Sequence, residues 1–353
     1  FFFFFFFFLF FFFFFFFSFS FFFLFQFNSS IFFEVLDGFN SNNQNVCTCT
    51  IEPESQHIHP PTVNESEFEP QFQRRMTLQE KYPGRLLPSF LLVGWPKTGS
   101  TSLASYLANH PQIISISEKE PNFVGHHSRT TEDYVSLFPD CKIVNCTNKM
   151  TFDGSISLVT NLFGATDAYR YFPDAKLVFL VRNPVDRAYS RFRMDSRKYG
   201  FTITFDEFVV TEIPRIKAIL ADFENFRELK NSTTNILEYQ QFLHRNFMDS
   251  RSRYFFGSFY YYYIEPFLQL YPRSNIHVMS TYRLLVDPEH EVGNLFKFLG
   301  LESQSLDWES LKKNVYPPNE DMKPETRARL INFFKNFNQM FEDEMGQTFD
   351  LDK

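Results

Sequence analysis

The 353-residue chain is short of positive charge, with 34 Lys and Arg against 41 Asp and Glu and a formal net charge of -7. Nucleic-acid binding needs a basic surface that neutralises phosphates, so we expect no nucleic-acid partner. Glycine is also scarce at 12 residues, and no short repeat occurs beyond a run of Phe. Collagen, solenoid and wholly disordered architectures are therefore excluded. The length suffices for one large or two modest domains.

The N-terminal tract lacks charge, because no charged residue precedes Glu34 and no Lys or Arg precedes Arg74. Residues 1–33 hold 24 of the 53 Phe, and such a tract is long and apolar enough to cross ~30 Å of hydrocarbon as a helix. The tract also lacks an initiating Met, and codons for Phe, Leu and Ser differ by one base from a run of T. A membrane anchor and translated non-coding sequence therefore stand as alternatives. Residues 34–88 are polar with scattered prolines, which predicts a stem or linker.

Only four cysteines occur, and they form two close pairs. Cys47 and Cys49 lie in the polar linker, whereas Cys141 and Cys146 bracket a short segment. The second pair predicts a small disulfide loop, which suits an oxidising compartment, with two free thiols as the alternative. Neither pair has partners at zinc-ligand spacing, so we expect no metal.

Sequons of the form Asn-x-Ser/Thr occur at Asn28, Asn64, Asn145 and Asn231. Several arise by chance in a chain of this length, so they are weak support for a secretory lumen. We take Asn64, Asn145 and Asn231 as the candidate glycosylation sites.

Apolar runs alternate with amphipathic stretches from Ser89 onward, which predicts an α/β fold with a parallel sheet flanked by helices. Buried strands are predicted at residues 90–94, 176–182 and 276–279, since each run is short and continuously apolar. The last helix is predicted from about Pro324 to Met340.

A loop of small residues, 95–102, joins the first strand to a helix. Such a loop brings backbone N–H groups and a helix dipole to one point, which is typical of a phosphate site. Lys97 adds a mobile positive charge to this loop. A nucleotide kinase or NTPase of the P-loop class needs Lys after its second Gly, whereas Lys97 precedes Gly99, so that class is a poor match.

A second motif, residues 182–190, follows another buried strand. Ligands of open α/β sheets bind at the carboxyl ends of the strands. Arg182 ends the strand and Ser190 lies on the following helix. We therefore expect both side chains to converge on a second phosphate, roughly one nucleotide away from the first.

Together these motifs resemble those of the sulfotransferases. Residues 95–103 resemble the 5′-phosphosulfate loop of that family, and residues 182–190 resemble its 3′-phosphate motif. Further matches extend the resemblance from about residue 89 to residue 349, at Lys119–Phe123, Ser258–Tyr260, Ile264–Leu268, Asp287–Pro288, Phe298–Leu301 and Met322–Arg327. The set is most similar to Golgi carbohydrate sulfotransferases that act on glycosaminoglycans, of the heparan sulfate and chondroitin GalNAc 4-sulfate 6-O types.

The resemblance implies a P-loop-like sulfotransferase domain over residues 89–353. It implies 3′-phosphoadenylyl sulfate (PAPS) as the donor, and in-line transfer of its sulfuryl group to a hydroxyl of a glycosaminoglycan-like glycan. It also implies a type II protein of the Golgi membrane with a lumenal catalytic domain. The donor-binding residues are then Lys97, Thr98, Gly99, Ser100, Thr101, Ser102, Arg182, Ser190 and Tyr260. Sulfation of a small alcohol or phenol, and glycan binding without catalysis, are the alternatives.

Two residues are predicted to carry the chemistry. Lys97 is expected to stabilise the charge that grows on the bridging oxygen of the donor. An alcohol needs a general base, and Glu120 lies in a Lys-Glu-Pro-x-Phe context that resembles the site of the catalytic Glu in heparan 3-O-sulfotransferases. A plain surface carboxylate is the alternative for Glu120, and His126 and His127 are alternative bases.

Lys119 and Asp153 are the predicted acceptor-binding residues. Lys119 is expected to contact a sulfate or carboxylate of the acceptor. The heparan enzymes carry an acidic-Lys-Ser pattern where this chain has Asp153-Gly154-Ser155. The missing Lys favours resemblance to the chondroitin type over the heparan type.

Overall fold

The computed structural model describes residues 77–126, 129–230, 235–248, 253–311 and 322–353. The predicted anchor, most of the predicted stem, Asn64, Asn231 and His127 lie outside these ranges. None of the helices in the described ranges combines the length and apolar character needed to cross a bilayer.

Within the described residues, four parallel strands form a sheet in the order β2-β1-β3-β4. Their bounds are Phe90–Gly94 (β1), Phe152–Asp153 (β2), Lys176–Val181 (β3) and Ile276–Ser280 (β4). The predicted α/β class and three predicted strands are confirmed, and β2 is an addition. Gly94 lies opposite Leu180, and Val181 lies opposite Ser280, so the carboxyl ends of these strands meet at one edge.

Helices surround this sheet and occupy most of the connections between strands. The α-helices of the described residues are Leu78–Lys81 (α1), Ser100–Ala108 (α2), Thr131–Ser136 (α3), Gly164–Tyr171 (α4), Pro184–Tyr199 (α5), Phe205–Lys230 (α6), Ile236–Leu243 (α7), Arg253–Phe256 (α8), Tyr260–Leu270 (α9), Thr281–Val286 (α10), Pro288–Leu299 (α11), Trp308–Leu311 (α12) and Pro324–Met345 (α13). Short 3₁₀-helices cover Ile156–Thr160 and Arg273–Asn275, and a π-helical turn covers His244–Met248.

Both faces of the sheet are buried, which explains the continuously apolar strand sequences. Leu91 and Val93 of β1 belong to one hydrophobic cluster, whereas Phe90 and Leu92 belong to another. Successive side chains of a strand point to opposite faces, so the two clusters lie on either side of the sheet. Burial of β1 on both faces holds the loop that follows it at a defined place.

The loop after α3 contains the disulfide predicted from cysteine spacing. Cys141 and Cys146 are bonded, with 5.4 Å between their Cα atoms. Asn145 lies between them and is exposed. A candidate glycosylation site is thus accessible at the protein surface.

Candidate active site

The loop between β1 and α2 turns tightly at two residues. Lys97 and Gly99 have positive φ angles of 79° and 90°. Gly99 occupies the N-cap of α2, and no side chain caps the helix from that position. The first turn of an α-helix leaves backbone N–H groups without intrahelical partners. Together with the helix dipole, these groups suit an anionic ligand.

The small residues of this loop have different surroundings. Thr98 is fully buried, and its hydroxyl donates to the Trp95 carbonyl at 2.8 Å. If Thr98 contacts a bound ligand, it would therefore do so through its backbone. Ser100 and Ser102 are nearly buried, and Thr101 is exposed.

Arg182 brings the second motif against this loop. Its Nη1 donates to the Lys97 carbonyl at 3.1 Å. The Tyr260 hydroxyl donates to the Arg182 carbonyl at 2.7 Å and accepts from the Arg182 N–H at 3.3 Å. Tyr260 is itself buried, and its ring packs edge-on against that of Trp95, with 4.6 Å between the ring centroids. The structure thus brings together the two predicted phosphate motifs and places Tyr260 as a support for Arg182.

Helix α5 begins beside Arg182 because Asn183 caps it and Pro184 is its first residue. The Asn183 side chain accepts from the N–H groups of Val185 and Asp186, and proline suits the first helical position. Ser190 lies on this helix and is half-buried. Its predicted phosphate contact stays a prediction.

Arg187 of α5 is buried and ties this helix to the loop. Its Nε donates to Ser258 Oγ at 2.7 Å, and its Nη1 donates to the Pro96 carbonyl at 3.4 Å. It also donates to the Tyr254 carbonyl. Burial lowers the pKa of Arg187 to about 10. Arg187 lies within the predicted motif of residues 182–190, but the sequence did not predict this role for it.

Lys97 lies in an electropositive environment. Burial lowers its pKa, and the positive charges of Arg182 and Arg191 lower it further, against a smaller opposite effect of Asp195. The Nζ atom lies 3.9 Å from Met194 Sδ of α5. An anion bound here would offset the repulsion among the cations, so the site favours a negatively charged ligand.

Thr281 joins the loop to the sheet edge and was not predicted. This buried residue is the first of α10, directly after β4. Its Oγ1 lies 2.6 Å from the Thr98 carbonyl and 2.8 Å from the Val181 carbonyl. One available signal was its place at the carboxyl end of a predicted strand, since ligand sites of parallel sheets form at that edge.

The predicted base lies close to the loop. Lys119 Nζ is 2.8 Å from Glu120 Oε1 and 3.4 Å from Ser100 Oγ. The Glu120 side chain is 37% exposed, so an acceptor can reach it. His126 is exposed, and its Nε2 lies 2.9 Å from Ser157 Oγ.

Asp153 is buried, with 2% of its surface exposed. Its Oδ2 accepts from the Tyr134 hydroxyl at 2.9 Å, and its Oδ1 accepts from the Ser155 N–H at 2.8 Å. Burial raises the pKa of Asp153. Both carboxylate oxygens are engaged by the protein, and acceptor binding by Asp153 stays a prediction.

Residues 153–155, here called the clasp, hold the backbone around Glu120. The Gly154 N–H donates to the Lys119 carbonyl at 3.0 Å. Ser155 Oγ accepts from the Asn122 N–H at 2.9 Å. A Cβ at position 154 would lie 2.7 Å from the Lys119 oxygen, so the close approach requires glycine.

Comparison with known proteins gives a matching family model and several relatives. The model of the sulfotransferase domain matches residues 87–319. The membrane-associated sulfotransferase kil1 of Dictyostelium discoideum is 22% identical over 314 residues, covering 74% of this chain and 66% of that protein. The bifunctional heparan sulfate N-deacetylase/N-sulfotransferase 1 of Caenorhabditis briggsae is 29% identical over 222 residues, covering 61% of this chain and 23% of that protein.

Two further likenesses cover larger shares of the proteins compared. The heparan sulfate glucosamine 3-O-sulfotransferase 6 of Homo sapiens is 25% identical over 303 residues, covering 76% of this chain and 75% of that protein. The crystal structure of a sulfotransferase from Alicyclobacillus acidocaldarius superposes with a TM-score of 0.53 at 23% identity, covering 74% of this chain and 96% of that one. The structural likeness shows a shared fold.

Proposed function

Because this chain belongs to the sulfotransferase domain family, we propose that it transfers the sulfuryl group of PAPS to a hydroxyl of a glycan. The observation that carries the proposal is the bond from Arg182 Nη1 to the Lys97 carbonyl at 3.1 Å. This bond connects the loop after β1, which suits one anionic group, with Arg182 at the end of β3, which suits a second anionic group. A donor with phosphates at both ends of its nucleoside matches that pairing.

The residues present fit this donor. The Gly99 turn and the first turn of α2 suit the 5′-phosphosulfate, with Lys97 beside them. Arg182 and Ser190 would hold the 3′-phosphate and so orient the donor far from the reacting atom. Tyr260 would act through Arg182, because its hydroxyl is engaged with the backbone of that residue.

The reaction is an in-line displacement at sulfur. The acceptor oxygen forms a bond to sulfur while the bond from sulfur to the bridging oxygen of the donor breaks. The leaving 3′-phosphoadenosine 5′-phosphate (PAP) keeps the electron pair, and Glu120 takes the proton of the acceptor hydroxyl. Lys97 stabilises the negative charge that grows on the bridging oxygen.

The acceptor is proposed to be a glycosaminoglycan-like glycan, on the strength of relatives named for heparan sulfate. We further propose a lumenal catalytic domain in the Golgi, with residues 1–33 as the membrane anchor. The Cys141–Cys146 disulfide and the exposed Asn145 sequon support an oxidising secretory compartment. A small alcohol or phenol acceptor is the alternative that the acceptor panel below distinguishes.

In the test, the full chain is incubated with labelled PAPS and one acceptor at a time. The acceptors are chondroitin, dermatan, heparan, desulfated glycans and a phenol. Label on a glycan supports the proposal, and label on the phenol alone selects the alternative acceptor. Lys97→Ala and Glu120→Gln should abolish transfer while Glu120→Gln keeps PAP binding. Lys81→Ala is the matched control, since Lys81 is an exposed lysine paired with Glu132 at 3.7 Å.

The proposal fails in one of two ways. A chain that binds no PAP in calorimetry does not use this donor. A chain that binds PAP and labels none of the acceptors would be a binding protein of the same fold.

A further inference from the structure

We propose that Lys119 is a further catalytic residue, whose ammonium binds the sulfuryl group of the donor while it holds Glu120 beside that group. The inference rests on the proposed function and deepens it, since it assigns a second cation to the transferred group. It also gives Lys119 a different partner from the acceptor anion that the sequence predicts.

The position of the ammonium carries the inference. Lys119 Nζ lies 3.4 Å from Ser100 Oγ, and Ser100 is the first residue of α2. The N–H groups of that helix turn converge where an anion binds. A lysine ammonium has three N–H donors, so one remains for a ligand oxygen after the contacts with Ser100 and Glu120.

The backbone of Lys119 is fixed in this orientation. Gly154 of the clasp donates to the Lys119 carbonyl at 3.0 Å and leaves no room for a Cβ. Asn122 Nδ2 donates to the Glu120 carbonyl at 2.8 Å. Only 28% of the Lys119 side chain is exposed. The contact of the Lys119 ammonium with Ser100 is therefore supported by hydrogen bonds to the backbone of Lys119 and Glu120.

The two lysines differ in their charged neighbours. Lys97 interacts electrostatically with Arg182, Arg191 and Asp195. Lys119 instead forms an ion pair with the predicted base, with 2.8 Å between Lys119 Nζ and Glu120 Oε1. Lys97 is thus placed for the leaving oxygen, and Lys119 for the transferred group and the base. During transfer the acceptor proton passes to Glu120, and the electron pair of the broken bond leaves with PAP.

This arrangement explains how the base reaches the reacting atoms. An acceptor hydroxyl has to contact Glu120 and face the sulfur at the same time. A cation that contacts both the carboxylate and a sulfuryl oxygen holds these two groups on either side of the acceptor oxygen. Charge-assisted hydrogen bonds are short and strong, so Lys119 can fix that distance.

The test compares two nucleotides in the full chain, because PAP lacks the sulfuryl group of PAPS. For Lys119→Met we expect PAPS affinity about tenfold lower, the effect of one charge-assisted hydrogen bond, and PAP affinity within about twofold of the unaltered chain. We expect transfer to fall by about a hundredfold, and Lys119→Arg to recover part of both losses. Lys81→Met is the control, as another lysine in a Lys–Glu pair.

Each other result overturns the inference. Equal weakening of PAP and PAPS would show that Lys119 only supports the loop. Slower transfer with unchanged PAPS affinity would place Lys119 on the acceptor side. If the unaltered chain binds neither nucleotide, the proposed function fails, and this inference with it.

Discussion

Gly154→Ala is the sharpest perturbation of the clasp, because the new methyl group meets a backbone atom. A Cβ at this position would lie 2.7 Å from the Lys119 carbonyl oxygen and 3.2 Å from Lys119 Cγ. A contact of 3.4 Å, the lower limit of ordinary van der Waals distance, requires the carbonyl to retreat by about 0.7 Å. Lys119 and Glu120 would move with it.

The cost divides between stability and catalysis. Overpacking costs about 1–3 kcal/mol, and loss of the Gly154–Lys119 hydrogen bond costs about 1 kcal/mol. If the backbone of Lys119 and Glu120 moves instead, a shift approaching 1 Å at the Glu120 carboxylate lowers the transfer rate by about ten- to a hundredfold. We expect PAP affinity to be kept, because Gly154 contacts the Lys119 carbonyl, whereas the contact with Ser100 of the phosphate loop is made by the Lys119 side chain.

The assay measures the transfer rate with saturating PAPS, PAP affinity by calorimetry, and the free energy of unfolding by urea titration. Gly293→Ala is the matched control, because Gly293 lies within α11 and a Cβ there meets nothing within 4 Å. That change should stabilise the protein by up to about 1 kcal/mol, as alanine is the better helix former. A Gly154→Ala protein with the rate and stability of the unaltered chain would refute the role of the clasp.

Three other changes test different parts of the site. Burial and nearby arginines lower the pKa of Lys97, so this lysine holds its proton more tightly in the unfolded chain. Stability should therefore rise with pH up to the ordinary lysine pKa of ~10.4. Lys97→Met should abolish transfer, flatten this rise and raise the melting temperature at pH 8, as thermal unfolding at pH 8 and 10 would show. Tyr260→Phe should cost about 1 kcal/mol of stability and weaken PAP binding through Arg182, and unchanged calorimetry would contradict the support role. Replacing both Cys141 and Cys146 by Ser should lower the free energy of unfolding by about 2 kcal/mol and leave PAP affinity intact.

Strands that are buried on both faces were predictable because they are continuously apolar. The bounds of β1 match the predicted residues 90–94, and β3 and β4 differ from prediction by one residue at their ends. The two-residue strand β2 was not predicted, since Phe152 and Asp153 show neither a run nor an alternation. Helix α13 extends to Met345, beyond the predicted end at Met340, because Gly346 ends it in the left-handed conformation.

The site divides in the same way between local and distant contacts. The phosphate loop and the start of α5 follow from neighbouring residues, such as Gly99 at its left-handed turn and Asn183 before Pro184. The role of Thr281 could not be predicted in this way. Its hydroxyl contacts the carbonyls of Val181 and Thr98, which lie 100 and 183 positions earlier in the chain. Only the register of β4 beside β3 brings it there.

The sequence by itself determined the α/β class, the two predicted phosphate motifs and the family, since these depend on short runs of residues and their order. The tertiary structure alone decided which groups meet: Arg182 with the Lys97 carbonyl, Lys119 with Ser100, and Gly154 with the Lys119 carbonyl. Such contacts join segments far apart in the chain. They depend on strand register and on the packing of loops at one sheet edge, which no local pattern of residues specifies.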